Sequence, residues 1–441
     1  MLTSPAALTH DLLVRLSGAR LRSDALFRIV REDSLYERPI PERHRIVFYI
    51  GHLEAFDWNL LGGALGAGIV HPEFDRLFAF GIDPVGRGLP RDQPADWPSL
   101  KAVRDYVAQI RAALDDKLSP ELIDSNPHAR DGFAIATLLN VAVEHRLMHL
   151  ETLAYMFHQL PLDRKLPEPV DPGFPSIAVT PRMCMIPAGE TTLGLPRDGD
   201  EFGWDNEFEL HTAHVPSFEI DRYKINNGQY LNFIRAGGYD TRNLWSPDGW
   251  EWKRANGVSH PVFWKQAGDR WFYRGMFQEI PLPLDWPVYV SYAEASAYAR
   301  WAGKVLPTEG QWHRAAYGAP EGVERRYPWG SSDPDASLGN FDFHHWDPAP
   351  VNAFPLNTSA FGVEGMLGNG WEWTSTVFAP FPGFEPFPFY RGYSADFFDG
   401  KHFVMKGGSA RTAACMLRPT FRNWFQAHYQ YVYTGFRCVS Q

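Results

Sequence analysis

Glu144-His145-Arg146-Leu147-Met148-His149-Leu150-Glu151 lies in a run whose apolar residues recur with a helical period, and its reading decides the architecture of the first third of the chain. Positions i and i+4 stack on one face of a helix, so His145 and His149 present two imidazole nitrogens to one ion with almost no backbone adjustment. A third ligand is needed. The candidate is His52, in Ile50-Gly51-His52-Leu53-Glu54-Ala55-Phe56-Asp57-Trp58, because it lies on another predicted helix and bundles build metal sites from side chains on facing helices. Spacing leaves the metal open, since nitrogen-rich sites suit iron, zinc, copper and nickel. Histidines satisfied by ordinary hydrogen bonds are the alternative reading.

The helical period predicts four segments, roughly 5 to 32, 42 to 67, 98 to 117 and 127 to 160. Ser125 and Asn126 are cap candidates for the last, with Pro127 in its first turn. The expectation is an up-down helix bundle over residues 1–160. Residues 161–181 hold Pro161, Pro167, Pro169, Pro172, Pro175 and Pro181, too many prolines to continue a helix, and are read as a linker. From 182 to 441 the chain turns to short strands, Gly/Pro/Asn turns and scattered aromatics. Only 291–302 and 308–316 look helical there, so the class is α+β, with a loop-rich second domain.

Composition narrows the function classes. The 441 residues are 44% hydrophobic and 15% aromatic, enough for two or three well-filled cores. A formal net charge of −10 with no long basic run excludes the phosphate neutralisation that nucleic-acid binding demands. Cys184, Cys415 and Cys438 are odd in number and lack a CxxC spacing, which argues for a reducing compartment. No uncharged stretch reaches the ~18 apolar residues of a membrane span. The opening Met1-Leu2-Thr3-Ser4-Pro5 leads into an amphipathic helix with no signal-peptide core, so the expected location is cytoplasmic. The sequence leaves the oligomeric state open.

The second domain resembles the formylglycine-generating enzyme fold, a variant of the C-type lectin fold. The motifs are Lys224-Ile225-Asn226-Asn227-Gly228-Gln229-Tyr230, Leu306-Pro307-Thr308-Glu309-Gly310-Gln311-Trp312, Tyr327-Pro328-Trp329-Gly330, Gly365-Met366-Leu367-Gly368-Asn369-Gly370-Trp371-Glu372-Trp373-Thr374, Lys406-Gly407-Gly408-Ser409 and Gly435-Phe436-Arg437. That fold hosts unrelated functions, so it decides no chemistry alone. The first domain resembles a DinB-like four-helix bundle carrying His-x3-His-x-Glu. Bundle and second domain fused together are the architecture of the ergothioneine sulfoxide synthase family. The resemblance implies that His52, His145 and His149 hold a non-haem iron(II), leaving positions for a sulfur or selenium substrate and O2.

It also implies a binding motif for hercynine, the betaine of histidine, at Thr420-Phe421-Arg422-Asn423-Trp424-Phe425. Aromatic faces hold a quaternary ammonium, which has no N–H to donate. Trp424 and Phe425 supply such faces, and Asn423 can donate to the carboxylate. Two positions depart from well-known members: Phe425 stands where they carry an acid, and Met148 where they carry a glutamine. The hercynine imidazole must then be oriented otherwise, and Glu151 is one group for that part.

The stretch from Phe80 to Asp92 joins two predicted helices where the family draws part of its donor site. Arg87 and Arg91 suit the carboxylates of cysteine or gamma-glutamylcysteine. Asp83, Asp92 and Asp96 beside them suit a polyhydroxylated ligand at least as well, because carboxylates accept hydroxyl hydrogen bonds. An ordinary solvated loop is the third option. With Phe425, Met148 and Tyr393-Ser394-Ala395-Asp396-Phe397-Phe398-Asp399-Gly400, the chain looks most like the selenoneine synthase branch, in which hercynine is joined to a selenosugar through a carbon–selenium bond with O2 as oxidant. Tyr390 is the expected phenol near the iron that supplies a proton or electron, with Tyr393 its rival. The runner-up is the carbon–sulfur reaction with cysteine or gamma-glutamylcysteine. A DinB-like zinc or nickel thiol transferase and a lectin-like binding protein are the readings from other classes.

Overall fold

The computed structural model describes residues 5–66, 68–79, 90–119, 130–166, 168, 173–176 and 178–440, with backbone alone for 5–9. The chain forms two compact units, Met1–Pro169 and Val170–Gln441. The first is helical and the second is built of short strands, loops and a few helices.

Among the described residues of the first unit are four long helices, α1 (Pro5–Arg28), α2 (Ile46–Leu61), α4 (Leu100–Lys117) and α5 (Ile135–Gln159), with the short α3 (Pro72–Leu77) after α2. Helix α5 is buried around almost its whole circumference from Leu138 to His158, the property of a central helix rather than a surface one, and it packs on α1 and α2. Its start differs from expectation. Arg130 and Phe133 exchange backbone hydrogen bonds at 3.3 and 2.8 Å across a turn in which Asp131 and Gly132 have φ of 50° and 83°. That left-handed turn delays the helix to Ile135. The anticipated caps Ser125, Asn126 and Pro127 lie outside the described residues. Helix α2 likewise begins at Ile46 rather than 42, and α1 ends at Arg28, after which Val30 pairs with Lys165. Leu166 donates to the Ile29 carbonyl at 2.7 Å, so the first residues of the expected proline linker are bound to the first unit.

One buried polar knot ties the four long helices together. Arg146 on α5 donates to Glu54 (2.9 and 3.0 Å) and Asp57 (2.6 Å) on α2 and to Ser23 (3.2 Å) on α1. Arg111 on α4 joins Glu54 (2.7 Å) to Asp24 of α1 (2.7 Å). Burial pushes the Glu54 carboxyl up, but the charges and hydrogen bonds of Arg146 and Arg111 outweigh it and hold the group below its usual range. Because these partners are fixed in position, the register of α2 against α5 is fixed with them.

Among the described residues of the second unit twelve strands form four small sheets, the largest ordered β10-β9-β8-β11 (Asn423–Gln426, His402–Lys406, Trp371–Val377, Thr434–Gly435). Four helices of eight or more residues are present among the described residues, two more than the periodicity suggests. Helices α8 (Tyr292–Trp301) and α9 (Glu309–Tyr317) were expected; α6 (Asn227–Arg235) and α7 (Pro247–Ala255) were not. Both carry a start signal that composition masked: Asn226 and Gln229 form a capping box, and Ser246 caps α7 with Pro247 in its first turn.

Four of the six motifs of the second unit meet at Glu372. Its carboxylate accepts from Arg437 (2.6 and 2.9 Å), Trp312 (3.1 Å) and Lys224 (3.0 Å). Four stretches far apart in sequence thereby converge on one buried acid beside the apolar cluster of Trp312, Phe341, Met366 and Leu367. Among the described residues no helix is long and apolar enough to cross a membrane, and all three cysteines are free thiols.

Candidate metal centre and aromatic wall

His52 from α2 and His145 and His149 from α5 bring their imidazoles together in the first unit, all three buried. Nε2 of His149 lies 3.2 Å from Nε2 of His52 and 3.1 Å from Nε2 of His145. Nitrogens bound about 2.0–2.1 Å from one ion sit about 3 Å apart, so the spacing is that of ligands on a shared metal. The lone pairs are aimed accordingly. Nδ1 of His52 is 2.7 Å from the Phe78 carbonyl, an acceptor only, which places the ring proton on Nδ1 and the lone pair on Nε2.

Electrostatics keep the imidazoles neutral. Burial pushes His52 down to about 4, only partly offset by its hydrogen bond to Phe78, with His44 and Arg146 lowering it further. His145 and His149 are driven well below the ordinary histidine range by burial first, His145 then by His149, His52 and Arg146, and His149 by His52, Arg43 and Arg146. Aromatic rings wall the cluster. Phe56 stacks on His145 with centroids 3.4 Å apart, Phe48 stacks on His52 at 4.8 Å, and Tyr49 lies 5.7 Å from His149. Phe48, His52 and Phe56 recur at intervals of four on α2, so one helix supplies both a ligand and its apolar cover. Three neutral imidazoles in a dry pocket fit a borderline transition metal such as iron(II).

Glu151 is buried on α5, two residues past His149. Residues i and i+2 of a helix do not face each other, so it does not orient His149 as a side-to-side neighbour. That part belongs, for His52, to the Phe78 carbonyl, which no sequence pattern announces. Asp83 and Arg87 lie outside the described residues. The Asp92 carboxylate takes Arg38, Arg45 at 3.0 Å and the Trp97 indole at 2.8 Å, which staples the chain before α4.

In the second unit the structure assembles Tyr390, Tyr393 and Trp424 into one aromatic wall. Tyr393 stacks on Trp204 (4.0 Å between centroids) and meets the edge of Trp424 (5.4 Å); Tyr390 lies 5.6 Å from Tyr393. Trp424 in turn lies flat on Phe378 at 4.2 Å. Phe425 does not join this wall. Successive residues of β10 point to opposite faces, and Phe425 stacks on Tyr429 instead, at 4.9 Å. The two aromatics of the expected ammonium motif thus serve different surfaces. Asn423 accepts the Trp424 N–H on Oδ1 at 2.8 Å, leaving Nδ2 as its donor end.

The strand carrying these residues is anchored by groups the sequence reading passed over. Lys406 donates to the carbonyls of Pro419 (2.8 Å) and Phe421 (2.6 Å), Arg422 grips Glu309 through two hydrogen bonds, and Arg418 and Thr420 hold Glu207. Trp204, the platform under Tyr393, was also missed. It precedes Asp205, whose carboxylate accepts from Ser394 at the end of the tyrosine segment.

Comparison with known proteins agrees across both units. Residues 15–153 match the DinB superfamily and residues 174–441 match the sulfatase-modifying factor enzyme 1-like domain. Hercynine oxygenase of Mycolicibacterium smegmatis is 38% identical over 378 residues, covering 84% of each chain. Hercynine oxygenase of Mycobacterium tuberculosis is 35% identical over 408 residues, covering 88% of each. Ergothioneine biosynthesis protein 1 of Neurospora crassa is 29% identical, with 93% of this chain matched to 55% of that longer one. Similarity at this level, running through the histidine-bearing bundle and the domain that follows it, places the chain in the hercynine oxygenase family, the ergothioneine sulfoxide synthases.

Proposed function

We propose that this protein is a non-haem iron(II), O2-dependent synthase that joins hercynine to a selenosugar through a carbon–selenium bond. The observation that carries the reading is the buried convergence of the His52, His145 and His149 Nε2 atoms in a chain related to hercynine oxygenases. Iron(II) held there would supply the one-electron chemistry through which O2 drives formation of the new bond at the imidazole ring and oxidation of the chalcogen.

The protein's own residues bind and orient. The Trp424 face, backed by Phe378 and flanked by Tyr393, suits the trimethylammonium of hercynine, and Asn423 Nδ2 suits its carboxylate. Tyr390 is the proposed proton donor and Tyr393 its rival. The latter is clasped by Trp204 and Trp424, which favours a packing role for it. Asp83, Arg87 and Asp92 are the proposed donor-site residues, the aspartates accepting from the donor's hydroxyls, and Glu151 is a candidate for the hercynine imidazole. Phe425, stacked on Tyr429, puts an apolar ring where well-known members carry an acid, and this supports a donor other than a thiol amino acid. The carbon–sulfur reaction with cysteine or gamma-glutamylcysteine is the second reading, favoured by the names of the relatives.

The test is anaerobic loading with iron(II), then O2 with hercynine and, in parallel, selenoglucose, thioglucose, cysteine or gamma-glutamylcysteine, with products read by mass spectrometry. A selenosugar adduct formed in strong preference supports the proposal. Preference for cysteine or gamma-glutamylcysteine replaces it with ergothioneine synthesis. A product that forms equally without O2 indicates a thiol transferase, and no product from any donor removes the synthase reading.

A further inference from the structure

Glycine inside a helix is a local penalty relative to alanine, yet Gly51 sits in the middle of α2, immediately before His52. A Cβ added there would lie 2.6 Å from three ring carbons of Phe78, far inside van der Waals contact. The ring lies flat against the bare helix surface, and its own carbonyl is the group that accepts the Nδ1 proton of His52 at 2.7 Å.

Phe78 has no room to yield. It is fully buried, with the Phe74 ring edge-on at 5.6 Å and the rings of Tyr106 and Trp97 stacked at 5.8 and 6.3 Å. Phe48, which covers the other side of His52, lies 6.4 Å away. A methyl group at position 51 must therefore displace the Phe78 backbone or α2 itself.

We propose that Gly51 is a positioning residue of the metal centre: its missing side chain lets Phe78 close on α2, so that the Phe78 carbonyl fixes the His52 tautomer and aims Nε2 at His145 and His149. This rests on reading the three histidines as a metal site. Groups that orient a ligating imidazole through its second nitrogen change metal affinity about 10- to 100-fold when lost, and here the orienting group is a backbone carbonyl, removable only by moving the chain that carries it.

The test uses the full-length protein with cobalt(II) as a spectroscopic probe, together with imidazole 15N spectra of the histidine-labelled, metal-free protein, the His52 signals assigned by their absence in His52→Gln. The wild type should show His52 protonated on Nδ1. Gly51→Ala should lose that pattern, bind cobalt(II) about 10- to 100-fold more weakly and shift its visible absorption. Gly51→Ala combined with Phe78→Leu, which frees space while keeping the carbonyl, should recover all three. Gly18→Ala on α1, where no atom lies within 4 Å of the added Cβ, should change none of them.

A Gly51→Ala protein with the wild-type nitrogen pattern and cobalt affinity would overturn the proposal, and so would a double variant that folds but regains neither. If Gly51→Ala alone fails to fold, the double variant decides; failure of both overturns it. A wild type that shows the His52 pattern, loses it in Gly51→Ala and binds neither cobalt(II) nor iron(II) would sink the metal reading while upholding the orientation of His52.

Discussion

Around Glu372 in the second unit, four donor contacts from Arg437, Trp312 and Lys224 close on one carboxylate; around His149 in the first, two further imidazole nitrogens close in at 3.1–3.2 Å. Both clusters are buried and both gather residues distant in sequence. The first is complete in itself: both carboxylate oxygens face donors, and the acid is held between two cations. In the second, Nε2 of His52 brings a lone pair to a point already crowded with like atoms. Buried polar groups are normally satisfied, so a saturated knot signals architecture and a convergence of lone pairs signals a cation. Helix α5 holds an ion-paired group and the open cluster side by side, since Arg146 pairs with Glu54 and Asp57 while its neighbours His145 and His149 face His52.

The largest effect should come from breaking the saturated knot. Arg437→Ala leaves Glu372 buried with half its donors gone and should destabilise the second unit by about 3–5 kcal/mol, measured by chemical denaturation, while metal binding by the folded fraction stays unchanged. An equal loss of metal binding would break the distinction.

Removing one member of the open cluster should do the reverse. His145→Ala should lower iron(II) or cobalt(II) affinity by at least ~100-fold and abolish product formation, with the metal-free melting temperature shifted by only a few degrees. A variant that unfolds like Arg437→Ala would show that the histidines serve as structure.

Acid sharpens the comparison through the sign of linkage. His52 is depressed to about 4 in the folded chain against about 6.5 unfolded, so the unfolded state binds the extra proton between these values. The associated stability is present above about pH 6.5 and is lost as pH falls toward 4, on the order of 3 kcal/mol for this residue. Asp205 runs the other way. Burial raises it to about 6, so its contribution is present below the ordinary aspartate value and is lost as pH rises through 6. Denaturation of metal-free protein from pH 7 to 4.5, with separate probes for each unit, should show the first unit weakening first; a flat profile would contradict the neutral, buried imidazoles.

The smallest expected effect divides neighbours on β10. Trp424→Ala should weaken hercynine binding about tenfold, on the order of 1–2 kcal/mol, by calorimetry. Phe425→Ala should cost less, because its ring faces Tyr429 rather than the wall of Tyr393 and Phe378. Equal losses would mean that both rings reach the ammonium.

Much of this was legible in the chain because it depends on local periodicity. His145 and His149 are four apart, so their common face follows from helix geometry, and the helical runs 291–302 and 308–316 announce α8 and α9 directly. Helix α5 was misjudged at its start because Asp131 and Gly132 turn left-handed, and α6 was missed because a capping box without a long apolar run carries little periodic signal. The family resemblance puts Trp424 and Phe425 in one motif, whereas the pairing of β10 with β9 sends them to opposite faces.

The sequence by itself determined the two-part architecture, the ligand pair on one helix and the motifs that mark the second unit, since each is encoded within a few turns or by residue type. Only the tertiary structure decided that His52 meets His149 at 3.2 Å, that the Phe78 backbone carbonyl orients it, that Asp92 is a staple, and that Trp204 underlies Tyr393. Those facts depend on close approach between segments tens to hundreds of residues apart, and close approach is set by packing and by what is absent, such as the side chain of Gly51, rather than by any local pattern.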